Sequence, residues 1–395
     1  MIVKKMQALG EKRSVIREIF EYGKTRKAEI GEENVFDFSL GNPSVPAPAC
    51  VTEALTALLR ERNPVSLHGY TSAQGDAGVR EAIADYLNKT YDVGCSANDL
   101  YMTVGAAASL SACLSAVAGA GEEVVAFAPF FPEYRVFTEQ TGASLAVVPP
   151  DEETFQISFD ALATTINEKT AAVIINSPSN PSGVILSAET LRRLGEILTE
   201  KSEEYGHVIY LIADEPYREL AYDGVEVPYA THFYPNTLVC YSFSKSISLP
   251  GERIGYILVS PTADDKRALY AAICGAGRSL GYVCAPSLFQ HLIPDVLGKT
   301  ADVSIYKRNR DLLYDSLTAY GFTAVKPQGA FYLFLKSPVP DAYAFCEKAK
   351  KYELLLVPGD DFAAPGYVRI SYCVQTEQIE RALPAFAALA KEYNL

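Results

Sequence analysis

The chain has 395 residues, more than the roughly 100–200 that one hydrophobic core usually serves, so two domains are expected. Its composition, 49% hydrophobic and 21% charged, is that of a soluble globular protein and excludes a disordered one. A net charge of −13 argues against a nucleic-acid partner, which needs a basic surface, while leaving room for a local pocket that holds a small anion.

Residues 12–27 carry many charges at helical spacing, which predicts an arm or opening helix. The prolines of residues 35–48 (VFDFSLGNPSVPAP) require turns and extended chain. Residues 49–62 and 76–90 then read as amphipathic helices. From residue 124 short β-branched runs recur, at 124–128, 171–176, 208–213, 238–243 and 256–260. The stretches between the first four are long enough for helices or crossovers, and 188–205 is helical in pattern. Near-continuous apolar strands separated by helices predict an α/β fold, with a mainly parallel sheet covered by helices on both faces. Ligands on such sheets sit beyond the carboxyl ends of the strands. After about residue 285 a helical stretch (304–320) precedes extended runs at 330–335, 354–357 and 367–372 and a closing helix from Thr376. This is the pattern of a smaller α+β domain. The expected division is an N-terminal segment 1–48 joining the small domain, a large domain 49–285 and a small domain 286–395.

The eight cysteines form no CxxC pair, and with four histidines no metal-ligand spacing appears, so no metal site is expected. Scattered thiols read as buried residues of a reducing cytosol. The N-terminal stretch lacks the apolar run of a signal peptide, and no run approaches the ~20 residues of a membrane span. A cytoplasmic protein is expected.

Three strand ends carry the chemistry. One is Ile212-Ala213-Asp214-Glu215-Pro216-Tyr217; the second is Tyr241-Ser242-Phe243-Ser244-Lys245; the third is the turn-rich Asn176-Ser177-Pro178-Ser179-Asn180-Pro181-Ser182-Gly183. A lysine just beyond a strand is ordinarily a solvated loop residue. Here Lys245 lies among Ser242, Ser244 and Ser246 with Arg253 following, and hydroxyls, backbone N–H groups and an arginine make a phosphate cradle. A lysine beside such a cradle suggests a Schiff base, because its amine becomes nucleophilic when its pKa is lowered. Asp214 alone reads as a helix cap or turn carboxylate. Beside a Schiff-base lysine it would keep a pyridine nitrogen protonated, so that the ring accepts electrons from a substrate carbanion. Tyr217 and Asn180 would then donate to the cofactor's phenolic oxygen. Gly105-Ala106-Ala107-Ala108 forms a small-residue turn before an apolar helix (110–118), which offers N–H groups to an anion or simply permits close packing. Pro129-Phe130-Phe131-Pro132-Glu133-Tyr134 supplies either an aromatic plate for a cofactor or core packing.

Together these pieces resemble the class I/II aminotransferases, pyridoxal-phosphate enzymes of fold type I (the aspartate aminotransferase superfamily). The motifs are Ser39-Leu40-Gly41-Asn42-Pro43, Tyr70-Thr71 with Gly75, Gly105-Ala106-Ala107, Asn180-Pro181-Ser182-Gly183, Asp214-Glu215-Pro216-Tyr217, Ser242 to Lys245, Arg253-Ile254-Gly255 and Val368-Arg369-Ile370-Ser371. They run in the family's order along essentially the whole chain.

The resemblance implies pyridoxal 5'-phosphate as cofactor, bound in the large domain, with Lys245 as the Schiff-base lysine and proton shuttle. It implies Asp214 at the pyridine nitrogen, Asn180 and Tyr217 at the phenolic oxygen, and Phe131 as the stacking ring. Ser242, Ser244, Arg253 and Gly105-Ala106-Ala107 would bind the phosphate. Arg369 would clamp the substrate α-carboxylate, with Gly41 and Asn180 at that end; a bidentate guanidinium suits a planar carboxylate. Tyr70 would reach the phosphate of the other subunit, which implies a homodimer with shared sites, and the small domain would close over substrate.

The chain departs from the family pattern in three places. Ala106-Ala107-Ala108 replaces the glutamine-bearing turn of many relatives, Phe131 stands where tyrosine or tryptophan is usual, and no segment supplies a second arginine for a side-chain carboxylate. The activity implied is exchange of an amino group between an L-amino acid and a 2-oxo acid by a ping-pong mechanism. A carbon–sulfur β-lyase on the same scaffold shares Lys245, Asp214 and Arg369 and is the alternative. A non-catalytic cofactor-sensing module is the remote one, disfavoured by the acidic charge and the lack of a helix-turn-helix segment.

Overall fold

Valine, isoleucine and alanine runs without polar alternation must be covered on both faces, and they build the central sheet. The computed structural model describes residues 2–11 and 14–395. Its strands in chain order are β1 (Phe36–Asp37), β2 (Leu100–Thr103), β3 (Glu123–Phe127), β4 (Ser144–Val148), β5 (Thr170–Asn176), β6 (Tyr210–Asp214), β7 (Thr237–Ser242), β8 (Gly255–Val259), β9 (Thr323–Ala324), β10 (Tyr332–Lys336), β11 (Leu354–Leu355), β12 (Val357–Pro358) and β13 (Tyr367–Ser371).

Seven strands form one sheet in the order β2-β8-β7-β6-β5-β3-β4. From β4 through β3, β5, β6 and β7 the pairing is parallel, as expected. β8 instead runs antiparallel to both β7 and β2. The link from β7 to β8 holds a single helical turn, Phe243–Ser246, and no crossover helix, so the chain can only double back. Between β5 and β6, by contrast, lies the full helix Ala188–Tyr205. Ser187 starts it by accepting the Thr190 amide, and Gly206 ends it in the left-handed region at φ +73°. Alternate residues of each strand face opposite sides. Val173, Leu211 and Val239 pack with Leu191, Leu194 and Leu198. Ile174, Ile212 and Leu238 pack with Leu110, Leu114 and Ile273.

A four-stranded antiparallel sheet, β12-β13-β10-β9, carries a separate core. In it Phe331, Leu333, Val368 and Ile370 meet Leu313 and Leu317 of the helix Val303–Ala319 and Ile379 and Phe386 of the helix Thr376–Glu392. β1 pairs in parallel with β11, so the N-terminal segment is stitched to the C-terminal third of the chain.

Several expected bounds shift. The run 354–357 is two strands in two sheets, broken at Leu356. The apolar helix expected at 110–118 is Ala106–Val117, so the small-residue turn is its first turn. The helix expected at 12–27 is Val15–Ile30, with the Lys12 and Arg13 part of that expectation outside the described residues. Cys50, Cys274 and Cys284 are half-buried, while the other five thiols are buried as expected. Among the described residues no helix is long and apolar enough to cross a membrane, and no cluster of three or more His, Cys, Asp or Glu side chains is placed to hold a metal.

Candidate active site

Parallel strands bring their carboxyl ends to one edge, so polar residues that end consecutive strands become neighbours. Asn176 ends β5, Asp214 ends β6 in register with it, and Ser242 ends β7. Lys245 follows Ser242 in the single helical turn. These residues line a cleft of about 300 Å³ that is closed from the other side by Ile16, Gly41, Tyr332 and Arg369. Ala106, Ala107, Phe131, Asn180, Tyr217, Ser244 and Arg253 also line it.

The Lys245 amine donates to the Gly41 carbonyl oxygen at 2.6 Å and lies 5.4 Å from the centre of the Phe331 ring. Burial pushes it down to about 8, helped by the charges of Arg253 and Arg369. Asp214 is buried, and burial raises its acid to about 7. Its Oδ2 accepts from the Tyr134 hydroxyl at 2.6 Å, while Oδ1 is buried with no partner. Such an orphan acceptor is costly unless a donor arrives from outside the chain.

The guanidinium of Arg369 on β13 is fixed on two sides. Nη1 donates to Asn180 Oδ1 at 3.1 Å and Nη2 to the Ser39 carbonyl oxygen at 2.5 Å, while Nε is buried with no partner. The rings of Tyr332 and Phe362 lie 4.8 and 4.9 Å from it. Tyr217 and Tyr332 share a hydroxyl contact of 3.0 Å. Gly41 is glycine for a steric reason, since a Cβ there would run into the Tyr332 hydroxyl.

The same cleft contains an anion cradle. In the helix Ala106–Val117 the first amides with backbone carbonyl partners are those of Ala108 and Ser109, both to Gly105, so the Ala106 and Ala107 N–H groups are open. Gly105 has φ +92°, and a Cβ on it would lie 2.8 Å from Arg253 Nη2. Ser242 and Ser244 face each other at 2.7 Å. Arg253 donates to the Pro250 carbonyl oxygen at 2.9 Å, leaving part of its guanidinium available. Open amides, hydroxyls and an arginine suit a phosphate, and the orphan Oδ1 of Asp214 suits a ring N–H. The donor set therefore fits a phosphorylated pyridine cofactor.

Tyr70 does not line the cleft; it is 99% exposed. Three contributors were not singled out from sequence. Tyr134 and Asn176 lie in the runs 129–134 and 176–183, but only packing reveals their bonds to Asp214: the Asn176 amide donates to the Asp214 carbonyl oxygen at 2.7 Å. Tyr332 follows Phe331 in a strand-like run, and nothing in that run distinguishes it from core.

Residues 33–386 match the family model for aminotransferases of class I and II. The crystal structure of an amino transferase from Eubacterium rectale is similar over 100% of both chains, with a TM-score of 0.98 and 55% sequence identity. Aspartate aminotransferase from Thermus thermophilus, solved with maleate, superposes with a TM-score of 0.87 at 27% identity, covering 98% of this chain and 99% of that one. An aspartate/prephenate aminotransferase of Thermus thermophilus is 28% identical over 373 residues, 88% of this chain and 89% of its own. On this match, and on a mainly parallel sheet of the same architecture, the chain belongs to the class I and II aminotransferases of fold type I.

Proposed function

We propose that pyridoxal 5'-phosphate is held in the cleft through Lys245, and that an L-amino acid and then a 2-oxo acid react there in turn. The observation that carries this is the buried, unpartnered Oδ1 of Asp214, set in the same cleft as an amine depressed to about 8. When bound, the cofactor supplies an electron sink for the carbanion left by loss of a substrate's Cα proton.

The chain's own residues do the rest. Lys245 Nζ, lowered to about 8 by burial, would hold the cofactor and, once released from it, would take and return the substrate's Cα proton. Asp214 Oδ1, which has no partner within the chain, would accept the ring N–H. Tyr217 and the Asn180 amide nitrogen, whose companion oxygen is engaged by Arg369, would donate to the phenolic oxygen. The Ala106 and Ala107 amides, the Gly105 turn, Ser242, Ser244 and Arg253 would hold the phosphate, and Phe131 would supply the aromatic plate. Arg369 binds the substrate α-carboxylate beside Gly41 and Asn180.

The segments 1–48 and 286–395, which supply Gly41 and Arg369, form the small domain that closes on the large domain 49–285 and excludes water. An aromatic ring wholly uncovered within one protomer supports a homodimer in which Tyr70 of the partner subunit completes the phosphate site. Eight free thiols, five of them buried, support a cytoplasmic protein.

Titration of the holoprotein with a panel of amino acids tests the reading. An effective donor bleaches the cofactor's visible band with release of a 2-oxo acid, and added 2-oxo acid restores the band. Pyruvate and ammonia formed catalytically from cystathionine without an acceptor would contradict it.

A further inference from the structure

Asp214 is the residue on which the proposed cofactor site turns, and its geometry is set by a side chain from another element. Tyr134 belongs to the helix Glu133–Thr141 that follows β3. It is buried, its ring stacks on Phe130 at 6.2 Å between centres, and it meets the edge of Phe131 at 5.8 Å. For packing alone a phenylalanine would serve, since burying a hydroxyl is unfavourable unless it finds a partner. The hydroxyl has one, Asp214 Oδ2 at 2.6 Å.

We infer that Tyr134 is a positioning residue: its phenol captures one oxygen of Asp214 so that the carboxylate stays ionised and its other oxygen stays free for the cofactor's ring nitrogen. This rests on the cofactor reading above.

Two oxygens with unequal partners support the assignment. One oxygen accepts from the phenol and the other is buried without a donor, so tilting the carboxylate out of this plane would give up its only side-chain bond. The charge state points the same way. Burial pushes Asp214 up to about 7, the Tyr134 bond pulls it down and the neighbouring Glu215 pushes it up. The other titratable groups around it do not replace Tyr134. Glu215 is occupied by Arg218, Tyr217 bonds to Tyr332, and Cys240 on β7 sits against Cys113 of the helix behind. Without the phenol, Asp214 would be neutral to higher pH and could not counter a ring N–H⁺.

The test is pyridoxal-phosphate binding to the full-length protein, stripped and reloaded, across pH 5.5 to 9. We expect Tyr134→Phe to weaken binding about tenfold at pH 7.5, the scale of one hydrogen bond to a charged group, and to move the acid-side loss of binding to higher pH. 3-Fluorotyrosine at position 134, a stronger donor of nearly the same shape, should move it to lower pH. In an Asp214→Asn background Tyr134→Phe should add little. Unchanged affinity and pH profile in Tyr134→Phe, or an equal loss in both backgrounds, would overturn the inference. A wild-type protein that binds no cofactor would instead overturn the proposed function, and this inference with it.

Discussion

At the scale of single residues, placing an amine in a cleft that excludes water is unfavourable for the protein before any cofactor arrives. Lys245 has its amine lowered from 10.5 to about 8 by burial. Between those two values the unfolded chain binds the proton and the folded chain does not, so stability rises with pH there. Below about pH 8 the full cost of a buried cation remains, on the order of 1–3 kcal/mol. Lys245→Met should therefore raise the melting temperature of cofactor-free protein at pH 7 while abolishing transamination. The difference should shrink as pH climbs from 8 toward 10.5. A variant that melts lower at pH 7 would show that the bond to the Gly41 carbonyl outweighs the burial.

At the scale of elements, the anion cradle depends on how the helix Ala106–Val117 begins. Gly105→Ala would put a Cβ against Arg253 and hold a side chain at positive φ. A stability loss of about 1–2 kcal/mol is expected, with weaker pyridoxal-phosphate binding, both measurable by denaturant titration and cofactor fluorescence. Equal binding in the variant would argue that the phosphate lies elsewhere.

The same elements explain what could be read in advance. Lys245, Asp214 and Asn180 were legible because each lies at or just past an apolar strand that has to be buried, and a polar residue there has a limited set of uses. The parallel sheet was legible for the same reason. β8 was foreseen as a strand but not as an antiparallel one, because direction depends on whether a link can hold a crossover helix. β4 was not singled out as a strand, although Leu145, Ala146, Val147 and Val148 are apolar; it is a short edge strand, mostly half-buried. Tyr134 and Tyr332 were not legible as polar contributors. Periodicity tells that a tyrosine is buried, while its hydroxyl's partner comes from an element far away in the chain.

At the scale of the whole molecule, a chain of net charge −13 must admit anionic substrates, and it does so by gathering Lys245, Arg253 and Arg369 around one cleft. Arg369→Lys keeps the charge but loses the planar fork. It should raise KM for amino acids by about ten- to a hundredfold with a smaller change in cofactor binding. Equal KM values would remove Arg369 from the carboxylate site. The uncovered Tyr70 belongs to this scale as well. Sedimentation should find a dimer at micromolar concentration, and Tyr70→Phe should weaken cofactor binding several-fold without splitting it. A monomer with full cofactor affinity would contradict that assignment.

The most direct measurement is borohydride reduction of the holoprotein followed by peptide mass spectrometry. One phosphopyridoxyl group per chain is expected, on the peptide containing Lys245, and none in Lys245→Met. Modification of a different lysine, or no fixed cofactor in the native protein, would contradict it.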